Sequence, residues 1–440
     1  MIRSRDRLFK RGYAEHGDVF ALKLGPQYAA VVTGEAHNRE FYTQTDKLLN
    51  MQEGYVFLRE AIGEVLFTAS TETYYNQRPA LQEVFRRERM VGYIEAMQRE
   101  VQKWLDSLGQ SGKIDFTEAM LRLTQRVAGH AFFGPNFEAE LDDDLWKQYG
   151  IISESLDPVL PPNLPLPKFW RRDRARREIG KTMAAMIEKR RQHPDQYDDL
   201  ITALLNTPLK DGTIMDDETI VSMFTGLIFA GHETTAGQAA WLVTLLMQHP
   251  DYLSNVMAEI EAHVPYGASV DAHVLMRLDH LYMAIDETTR LRPSADTQLR
   301  TVSEPLTLGE YVIPQGWRVL VSAATSHHLG AVFSNPEQFD PLRFSPDRAE
   351  GKNPFSIVGF GGGIHKCTGM NFAKNEMAMI AALFFQQFEA ELLNDDIHVV
   401  TGHGANHPSP VWVRYQRKAL PEAHTEAAAV HHASGGACPV

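Results

Sequence analysis

Residues 360–369 read FGGGIHKCTG and place Cys367, one of two cysteines in the chain, among four glycines. Glycine loses more backbone entropy on folding than any other residue, so this density is unfavourable inside a helix or strand. It suits a chain that must adopt positive φ or lie against a flat surface without an intervening Cβ. A thiolate just before a helix is also stabilised by the helix dipole. The stretch therefore predicts a loop that presents one thiolate to a metal, although glycines alone would also fit a flexible turn or a nucleophile loop.

Most of the remaining chain has a helical pattern. Two aspartates can cap a segment that begins near residue 217, continues through Met247 and ends at His249-Pro250, because proline stops a helix. At about 1.5 Å per residue such a helix is about 45 Å long and crosses a whole domain. We also predict helices over residues 278–291 and from just after Cys367 to Phe388.

Short strand signals lie towards both ends of the chain. Residues 20–32 alternate around a Gly25-Pro26 turn, residues 306–321 indicate strand, turn and strand with the turn at 314–316, and residues 411–415 predict a late strand. The predicted fold class is mainly α with small β-sheets. Residues 1–418 are expected to form a single domain, and residues 419–440, rich in Ala, His and Gly, a disordered C-terminal tail.

The composition argues against several classes of protein. A net charge of -13 disfavours nucleic acid, which binds proteins through Lys and Arg. Cys367 and Cys438 are too few for a disulfide framework or a multi-cysteine zinc site and favour a reducing compartment. Residues 1–10 are charged, and the longest apolar run, residues 377–385, is nine residues against the roughly 20 that a membrane span needs. We therefore expect a soluble, cytoplasmic protein with no membrane anchor.

The middle of the long predicted helix contains Ala230-Gly231-His232-Glu233-Thr234-Thr235. In a helix, Gly costs about 1 kcal/mol and Thr roughly 0.6 kcal/mol relative to Ala, and such violations tend to mark functional sites. Small Ala230 and Gly231 would leave space beside the helix, next to which Glu233 and Thr234 supply an acid and a hydroxyl for proton transfer. The alternative is a threonine that bends the helix and has no chemical role.

Both motifs resemble those of the cytochrome P450 family. The spacing Phe-x-x-Gly-x-x-x-Cys-x-Gly is similar to the family's haem-binding loop, and Glu233-Thr234 to its acid–alcohol pair. The resemblance implies the cytochrome P450 fold, a triangular helical haem domain, with haem b as cofactor. It makes Cys367 the axial iron ligand, whose thiolate favours O–O cleavage. The residues that it places against the haem are Ala230, Phe360, Gly361 and Gly369.

The same resemblance suggests partners for the haem propionates. His365 would donate to one propionate, and Arg300 matches the family's propionate arginine. Tyr74-x-x-x-Arg78 falls where the family has Trp or His followed by Arg. Each of these residues could instead be an ordinary surface side chain.

A second pair of motifs is expected to support the loop. Glu287 and Arg290 lie at i and i+3, which by itself describes an ordinary surface pair. They resemble the family's Glu-x-x-Arg motif, and Arg343 resembles the residue that completes this buried network behind the haem loop.

Several stretches look closest to sterol 14-alpha-demethylases, namely residues 55–58, 63–67, 164–177 and 407–412. The chain differs from them in having Glu233 where they usually carry His, and in lacking a Pro between Leu58 and Gly63. By analogy the substrate pocket would also include a tip near Asn406-His407, though simple core packing is the alternative for each residue. The pocket residues predicted in this way are Tyr55, Phe57, Leu58, Phe229, Ala295 and Thr297.

The predicted function is an O₂- and electron-dependent monooxygenase that hydroxylates or oxidatively demethylates an apolar, sterol- or terpenoid-like substrate. The resemblance covers residues 13–418, so electrons are expected from a separate ferredoxin and reductase, with the ferredoxin docking near Lys366 on a monomeric enzyme. A peroxide-dependent haem-thiolate oxygenase acting on fatty acids and a non-enzymatic haem protein are the alternatives.

Overall fold

The computed structural model describes residues 5–25, 27–134, 143–157, 160–402 and 404–419. Helices dominate these residues, as the sequence predicts. The predicted tail, from residue 420 onward, lies outside the described residues. The α-helices span Arg5–His16, Glu35–Gln44, Met51–Gly54, Val56–Ile62, Thr71–Val84, Arg87–Ser107, Phe116–Phe133, Asp143–Ser155, Pro167–Gln192, Leu200–Asn206, Asp217–Gln248, Pro250–His263, Ala272–Leu275, Asp279–Leu291, Ala323–Ser326 and Met370–Gln387.

In the described part of the chain, the strands form four small sheets. A five-stranded sheet has the order β1-β2-β8-β5-β3, in which β2 and β8 are parallel and the other pairs antiparallel. A three-stranded sheet has the order β4-β12-β9, and β6-β7 and β10-β11 are two-stranded. The strands are β1 Val19–Leu24, β2 Gln27–Val32, β3 Leu49–Asn50, β4 Ser111–Asp115, β5 Thr297–Val302, β6 Leu306–Leu308, β7 Tyr311–Ile313, β8 Arg318–Ser322, β9 Phe388–Leu392, β10 Val399–Thr401, β11 Asn406–Pro408 and β12 Trp412–Arg417.

The three helices predicted from the sequence are confirmed. Asp216 caps the helix Asp217–Gln248, its side chain accepting from the Thr219 amide, and the helix ends before His249-Pro250. We call this 32-residue element the long helix. The helix after Cys367 begins at Met370, and Phe388 already belongs to β9.

One strand prediction is wrong. Residues 306–321 do not form a single hairpin around residues 314–316, because β6 turns back at Gly309 and pairs with β7 in its own sheet. The turn at 314–316 instead leads into β8, which pairs with β2 and β5. The position of β8 therefore depends on partners that are distant in sequence.

The long helix crosses the main hydrophobic core and is buried nearly all round. Residues 222–228 and 235–246 are fully buried, whereas residues 229–234 between them are only half-buried. The middle of the helix therefore borders open space inside the protein. Within the described residues, no helix is both long enough and apolar enough to cross a membrane.

Candidate active site

The cysteine loop is a tight bend. The Cys367 amide donates to the Phe360 carbonyl at 2.9 Å, and Gly361 and Gly363 have φ of 73° and 63°. A Cβ on Gly362 would lie 2.8 Å from the ring of Tyr42. Positive φ and this close approach both require glycine, which explains the composition of the loop.

The Cys367 side chain is accessible although protein surrounds it. The residue is exposed, yet burial raises the pKa of its thiol, with a hydrogen bond from the Gly369 backbone and the charge of Lys366 acting in the opposite direction. A group that is accessible but surrounded by protein lies in a cleft. A metal bound to this sulfur would remove the thiol proton and reverse the effect of burial.

Two side chains fix the backbone just before the loop. Val358 donates its amide to Nε2 of His327 at 2.8 Å and accepts from Gln298 Nε2 at 2.9 Å. Burial lowers the pKa of His327 to about 3, and its Nδ1 lies 3.0 Å from the Arg290 carbonyl. His327 is therefore neutral, with its proton on Nδ1, which leaves Nε2 to accept from Val358.

The predicted buried network behind the loop is confirmed. Glu287, Arg290 and Arg343 have no exposed side-chain surface. Arg290 contacts Glu287 at 2.7 and 2.8 Å, and Arg343 contacts it at 3.1 Å. The remaining donors of Arg290 bind backbone carbonyls, so all five N–H groups of its guanidinium have acceptors.

The open side of the long helix carries the predicted pair. A Cβ on Gly231 would have no atom within 4 Å, which confirms the predicted space beside this residue. The Thr234 hydroxyl donates to the Ala230 carbonyl at 2.6 Å, and the Thr234 carbonyl accepts from Ser294 at 3.0 Å. A threonine hydroxyl in this arrangement still has lone pairs that can accept from a molecule in the cavity.

Glu233 is bound from two other parts of the chain. Ser153 Oγ donates to its Oε1 at 2.6 Å, and the Gly404 amide donates to Oε2 at 3.2 Å. Neighbouring His232 turns to the Leu121 carbonyl, 3.1 Å from its Nε2. Burial lowers the pKa of His232, while the Glu233 charge and the Leu121 contact act in the opposite direction.

Residues 294–300, which we call the bridging segment, connect the walls of the cavity. Ser294 binds the long helix through Thr234, and Gln298 binds the cysteine loop region through Val358. The Leu299 amide donates to the Tyr55 hydroxyl at 3.3 Å. The bridging segment therefore connects the cysteine loop, the long helix and the region of Tyr55.

Arg300, on the same segment, is a buried cation without an acid. It is 1% exposed, its Nε has no hydrogen-bond partner, and Nη1 donates only to the neighbouring Leu299 carbonyl. The guanidinium lies 4.9 Å from the centre of the Phe41 ring. Among the described residues neither Arg300 nor half-buried Arg78 has a carboxylate within 4 Å, the limit for an ion pair. Since a buried charge is costly without a counter-charge, this arginine fits a cofactor that brings its own carboxylates, as haem does.

His365 and Tyr74 lie together beside the loop. His365 Nε2 is 2.6 Å from Asp46 Oδ2, with both side chains nearly buried. The Tyr74 ring is 4.2 Å from the His365 ring, and its hydroxyl donates to the Ile364 carbonyl at 3.1 Å. Burial raises the pKa of Tyr74, with Arg78 opposing. The contacts of both residues here are protein groups, and their roles towards a propionate stay predictions.

The predicted pocket residues do not all lie together. Some are near Tyr55, some are on the bridging segment, and the rest lie beside Gly404 or in the hydrophobic core. Tyr55 is 6.1 Å from Phe57 and 5.5 Å from Phe67, ring centre to ring centre. Ala295 and Thr297 lie on the bridging segment, and the Thr297 hydroxyl is buried without a partner. The other two predicted residues are Phe229, which lies beside Gly404, and Leu58, which is 5% exposed.

Sequence reasoning missed the residues that hold these groups in place. Each acts on a partner far away along the chain, and no local motif marks any of them. They are Asp46, Ser153, Gln298, His327 and Gly404.

Comparison with known proteins agrees with this geometry. The family model described as Cytochrome P450 matches residues 3–410. A sterol 14alpha-demethylase of Mycolicibacterium vanbaalenii is 29% identical over 93% of this chain and 93% of its own length. A sterol 14-demethylase of Arabidopsis thaliana is 28% identical over 94% of this chain and 87% of its own.

Among solved structures, retinoic acid-bound cyanobacterial CYP120A1 superposes with a TM-score of 0.85 at 24% identity, over 95% of each chain. The chain therefore belongs to the cytochrome P450 family, the haem-thiolate monooxygenases that bind haem b through a cysteine thiolate.

Proposed function

We propose that Cys367 is the axial ligand of haem b and that Glu233 and Thr234 deliver protons on the opposite side of the cavity. The observation that carries this proposal is the bridging segment, which hydrogen-bonds both to Thr234 and to the backbone before the cysteine loop. The bound haem supplies O₂ activation, since a thiolate ligand favours O–O cleavage.

The cations and donors around the loop would hold the haem carboxylates. Arg300, which has no acidic partner among the described residues, would gain one from the haem, and Arg78 would supply a second positive charge. His365 and Tyr74 would contribute from the same side, with Asp46 fixing the orientation of His365 through Nε2. Charge-assisted hydrogen bonds of this kind are about twice as strong as neutral ones.

Proton transfer would use the two side chains in sequence. Thr234 has one hydroxyl proton, which it donates to the Ala230 carbonyl. To pass this proton into the cavity, the hydroxyl would rotate away from the carbonyl and take a replacement through water from the Glu233 carboxyl, which would itself take up one proton from solvent in each cycle. Small Ala230 and Gly231 would leave room for this rotation and for a small reactant, and a Cβ added to Gly231 would meet no atom within 4 Å.

The substrate would be apolar and sterol- or terpenoid-like, and would be hydroxylated or oxidatively demethylated. Its pocket would be lined by Tyr55, Phe57, Phe229 and Ala295, with the unpartnered Thr297 hydroxyl available to bind a polar group of the substrate. The relatives named as sterol demethylases, at 28–29% identity, support this class. A site of aromatic and small side chains with few polar groups is typical of such ligands.

Electrons would come from a separate ferredoxin and reductase, with the ferredoxin docking near Lys366. This lysine is exposed and adjacent in sequence to Cys367, so the electron path to the iron would be short. Turnover with ferredoxin, reductase and NAD(P)H, set against turnover with peroxide alone, tests this. Product formed only with peroxide would favour a peroxide-dependent oxygenase.

Titration with sterols, terpenes and fatty acids, followed by the shift of the haem Soret band, would identify the substrate class.

Replacing Thr234 by Ala tests the proton relay. We expect the product formed per NADPH to fall by about tenfold or more, because general acid catalysis contributes 10²–10⁴-fold, while the reduced carbon monoxide spectrum is unchanged. Thr244→Ala is the matched control, since the Thr244 hydroxyl donates to the Ala240 carbonyl in the same helix at 2.7 Å and is fully buried in the core. An unchanged yield of product per NADPH in Thr234→Ala would contradict the proposed proton relay.

A further inference from the structure

Tyr42, in the helix Glu35–Gln44, packs its ring against the cysteine loop. A Cβ on Gly362 would lie 2.8 Å from the ring, and a Cβ on Gly363 would lie 3.0 Å from the Tyr42 carbonyl. On its other contacts the ring is stacked with that of Phe355, 6.1 Å away between ring centres. The loop and the tyrosine therefore form one packed unit, in which the ring has a fixed orientation.

The hydroxyl of this tyrosine is not explained by packing. The Tyr42 side chain is 3% exposed, and its hydroxyl has no hydrogen-bond partner in the part of the chain that the structure describes. A buried hydroxyl without an acceptor is unfavourable, because it loses its hydrogen bonds to water and gains none. Phenylalanine would pack the same ring without this unpaired group. The hydroxyl therefore indicates an acceptor that the protein itself does not supply.

The Tyr42 hydroxyl lies near the buried cation of the bridging segment. Burial raises the pKa of this phenol, whereas Arg300 and Gln298 both lower it, which requires them to be close. Arg300 lies 4.9 Å from the ring centre of Phe41, the residue that precedes Tyr42. Gln298 lies beside the loop, where its Oε1 would be 3.5 Å from a Cβ on Gly361.

Two unpartnered donors thus belong to the same buried region, namely the Tyr42 hydroxyl and Arg300 Nε. A carboxylate can accept from both, since its two oxygens offer about four lone pairs and its charge matches the guanidinium. A water molecule would satisfy the hydroxyl but would leave the charge of Arg300 without a counter-charge. The pair therefore fits one carboxylate better than it fits solvent.

The acid beside the loop, Asp46, already has partners. Its Oδ2 is 2.6 Å from His365 Nε2, and its Oδ1 accepts from the Thr71 hydroxyl at 3.3 Å. The carboxylate that Tyr42 and Arg300 share is therefore expected to come with the cofactor.

We propose that the Tyr42 hydroxyl donates to the haem carboxylate that pairs with Arg300. The helix Glu35–Gln44 would then hold the cofactor through the same side chain that packs against the loop of Cys367. One rigid ring would relate the edge of the haem to the position of its axial ligand. This inference rests on the haem-binding roles proposed above for Arg300 and Cys367.

The replacement Tyr42→Phe in the haem-loaded enzyme tests this contact and keeps the ring that packs on Gly362. We expect haem to transfer to apomyoglobin about tenfold faster, the effect of losing one hydrogen bond to a charged group. The matched control is Tyr149→Phe, because the Tyr149 hydroxyl is also buried without a partner among the described residues but belongs to the helix Asp143–Ser155. The control should release haem at the wild-type rate.

Two further measurements separate a direct contact from support of the loop. Resonance Raman spectra contain a propionate bending mode whose frequency rises with hydrogen bonding to that group, and it should fall in Tyr42→Phe but not in Tyr149→Phe. The enzyme can also be reconstituted with iron etioporphyrin, which has alkyl groups in place of both propionates. With this porphyrin, Tyr42→Phe and the wild type should release the ligand at the same rate.

A wild-type rate of haem loss in Tyr42→Phe would overturn the proposal. Faster loss of both haem and iron etioporphyrin would also overturn it, because the hydroxyl would then support the loop instead of a carboxylate. The proposed function fails by other results, which are the absence of the red-shifted carbon monoxide band in the wild type and an unchanged rate of haem loss in Arg300→Met. If these two tests succeed and Tyr42→Phe has no effect, only the role of Tyr42 is wrong.

Discussion

Two buried arginines, Arg290 and Arg300, differ in how many of their donors the protein satisfies. Arg290 has acceptors for all five N–H groups, including both oxygens of Glu287. Arg300 donates to one neighbouring carbonyl and has an unpartnered Nε. A closed set of partners indicates a structural role, whereas a buried charge without a partner indicates a binding site. The difference therefore distinguishes the structural network around Arg290 from the proposed cofactor site around Arg300.

Cys367→Ala should have the largest effect on function. We expect complete loss of the red-shifted band of the reduced, carbon monoxide-treated protein and of turnover, because no other sulfur lies in the loop. The free energy of unfolding of the haem-free protein should change little, since the side chain is accessible. Urea denaturation measures this. A large loss of stability would show that the cavity side also supports the fold, and the distinction between the two regions would be lost.

Glu287→Ala should have the largest effect on stability. Removing this carboxylate leaves Arg290 buried without a counter-charge and takes from Arg343 one of its two acidic partners, which costs about 3–5 kcal/mol. The control is Glu391→Ala, because the Glu391–Arg414 pair has both side chains 64% exposed and such pairs contribute about 0–1 kcal/mol. Equal unfolding midpoints for the two variants would contradict the structural role of the network.

Arg300→Met tests the same difference from the cavity side. Haem should dissociate about tenfold faster, as expected for the loss of roughly 1.4 kcal/mol of charge-assisted bonding. The haem-free protein should be no less stable than the wild type, because an unpaired buried charge has been removed. Haem transfer to apomyoglobin and urea denaturation measure the two quantities. If Arg300→Met destabilises the haem-free protein as much as Glu287→Ala does, Arg300 has a structural role like that of Arg290.

Acid should weaken the network through Glu350 by a smaller amount. Burial opposes ionisation of this carboxyl, but hydrogen bonds from Ser334, Arg348 and Arg343 prevail and lower its pKa to about 2, from 4.5. A depressed folded-state pKa contributes stability that is present above the unfolded pKa and is lost as pH falls from about 4.5 towards 2. Glu350→Gln should flatten this part of the curve of unfolding free energy against pH, by roughly 1–2 kcal/mol. If the unfolding free energy of the variant falls with decreasing pH as steeply as that of the wild type, carboxyl groups other than Glu350 cause the loss of stability.

The sequence predicted those parts of the molecule that local chemistry determines. Glycines at positive φ mark the loop, and the Asp216 cap and the stop at His249-Pro250 mark the ends of the long helix. Ser153 could not have been found in this way, because it is 80 residues from Glu233 and a serine near a helix end carries no distinguishing signal. The prediction of one hairpin over residues 306–321 was wrong for the same reason, since the partner of β8, strand β2, is nearly 290 residues away in the chain.

The alternation of β5 has a practical consequence for changing what the enzyme accepts. Successive side chains of a strand point to opposite faces, so Gln298 and Arg300 share one face and Thr297 lies on the other. The first face anchors the loop through Val358 and carries the unmatched guanidinium. Under the pocket and cofactor roles proposed above, a randomised library for directed evolution would vary position 297 to select new substrates and leave positions 298 and 300 unchanged.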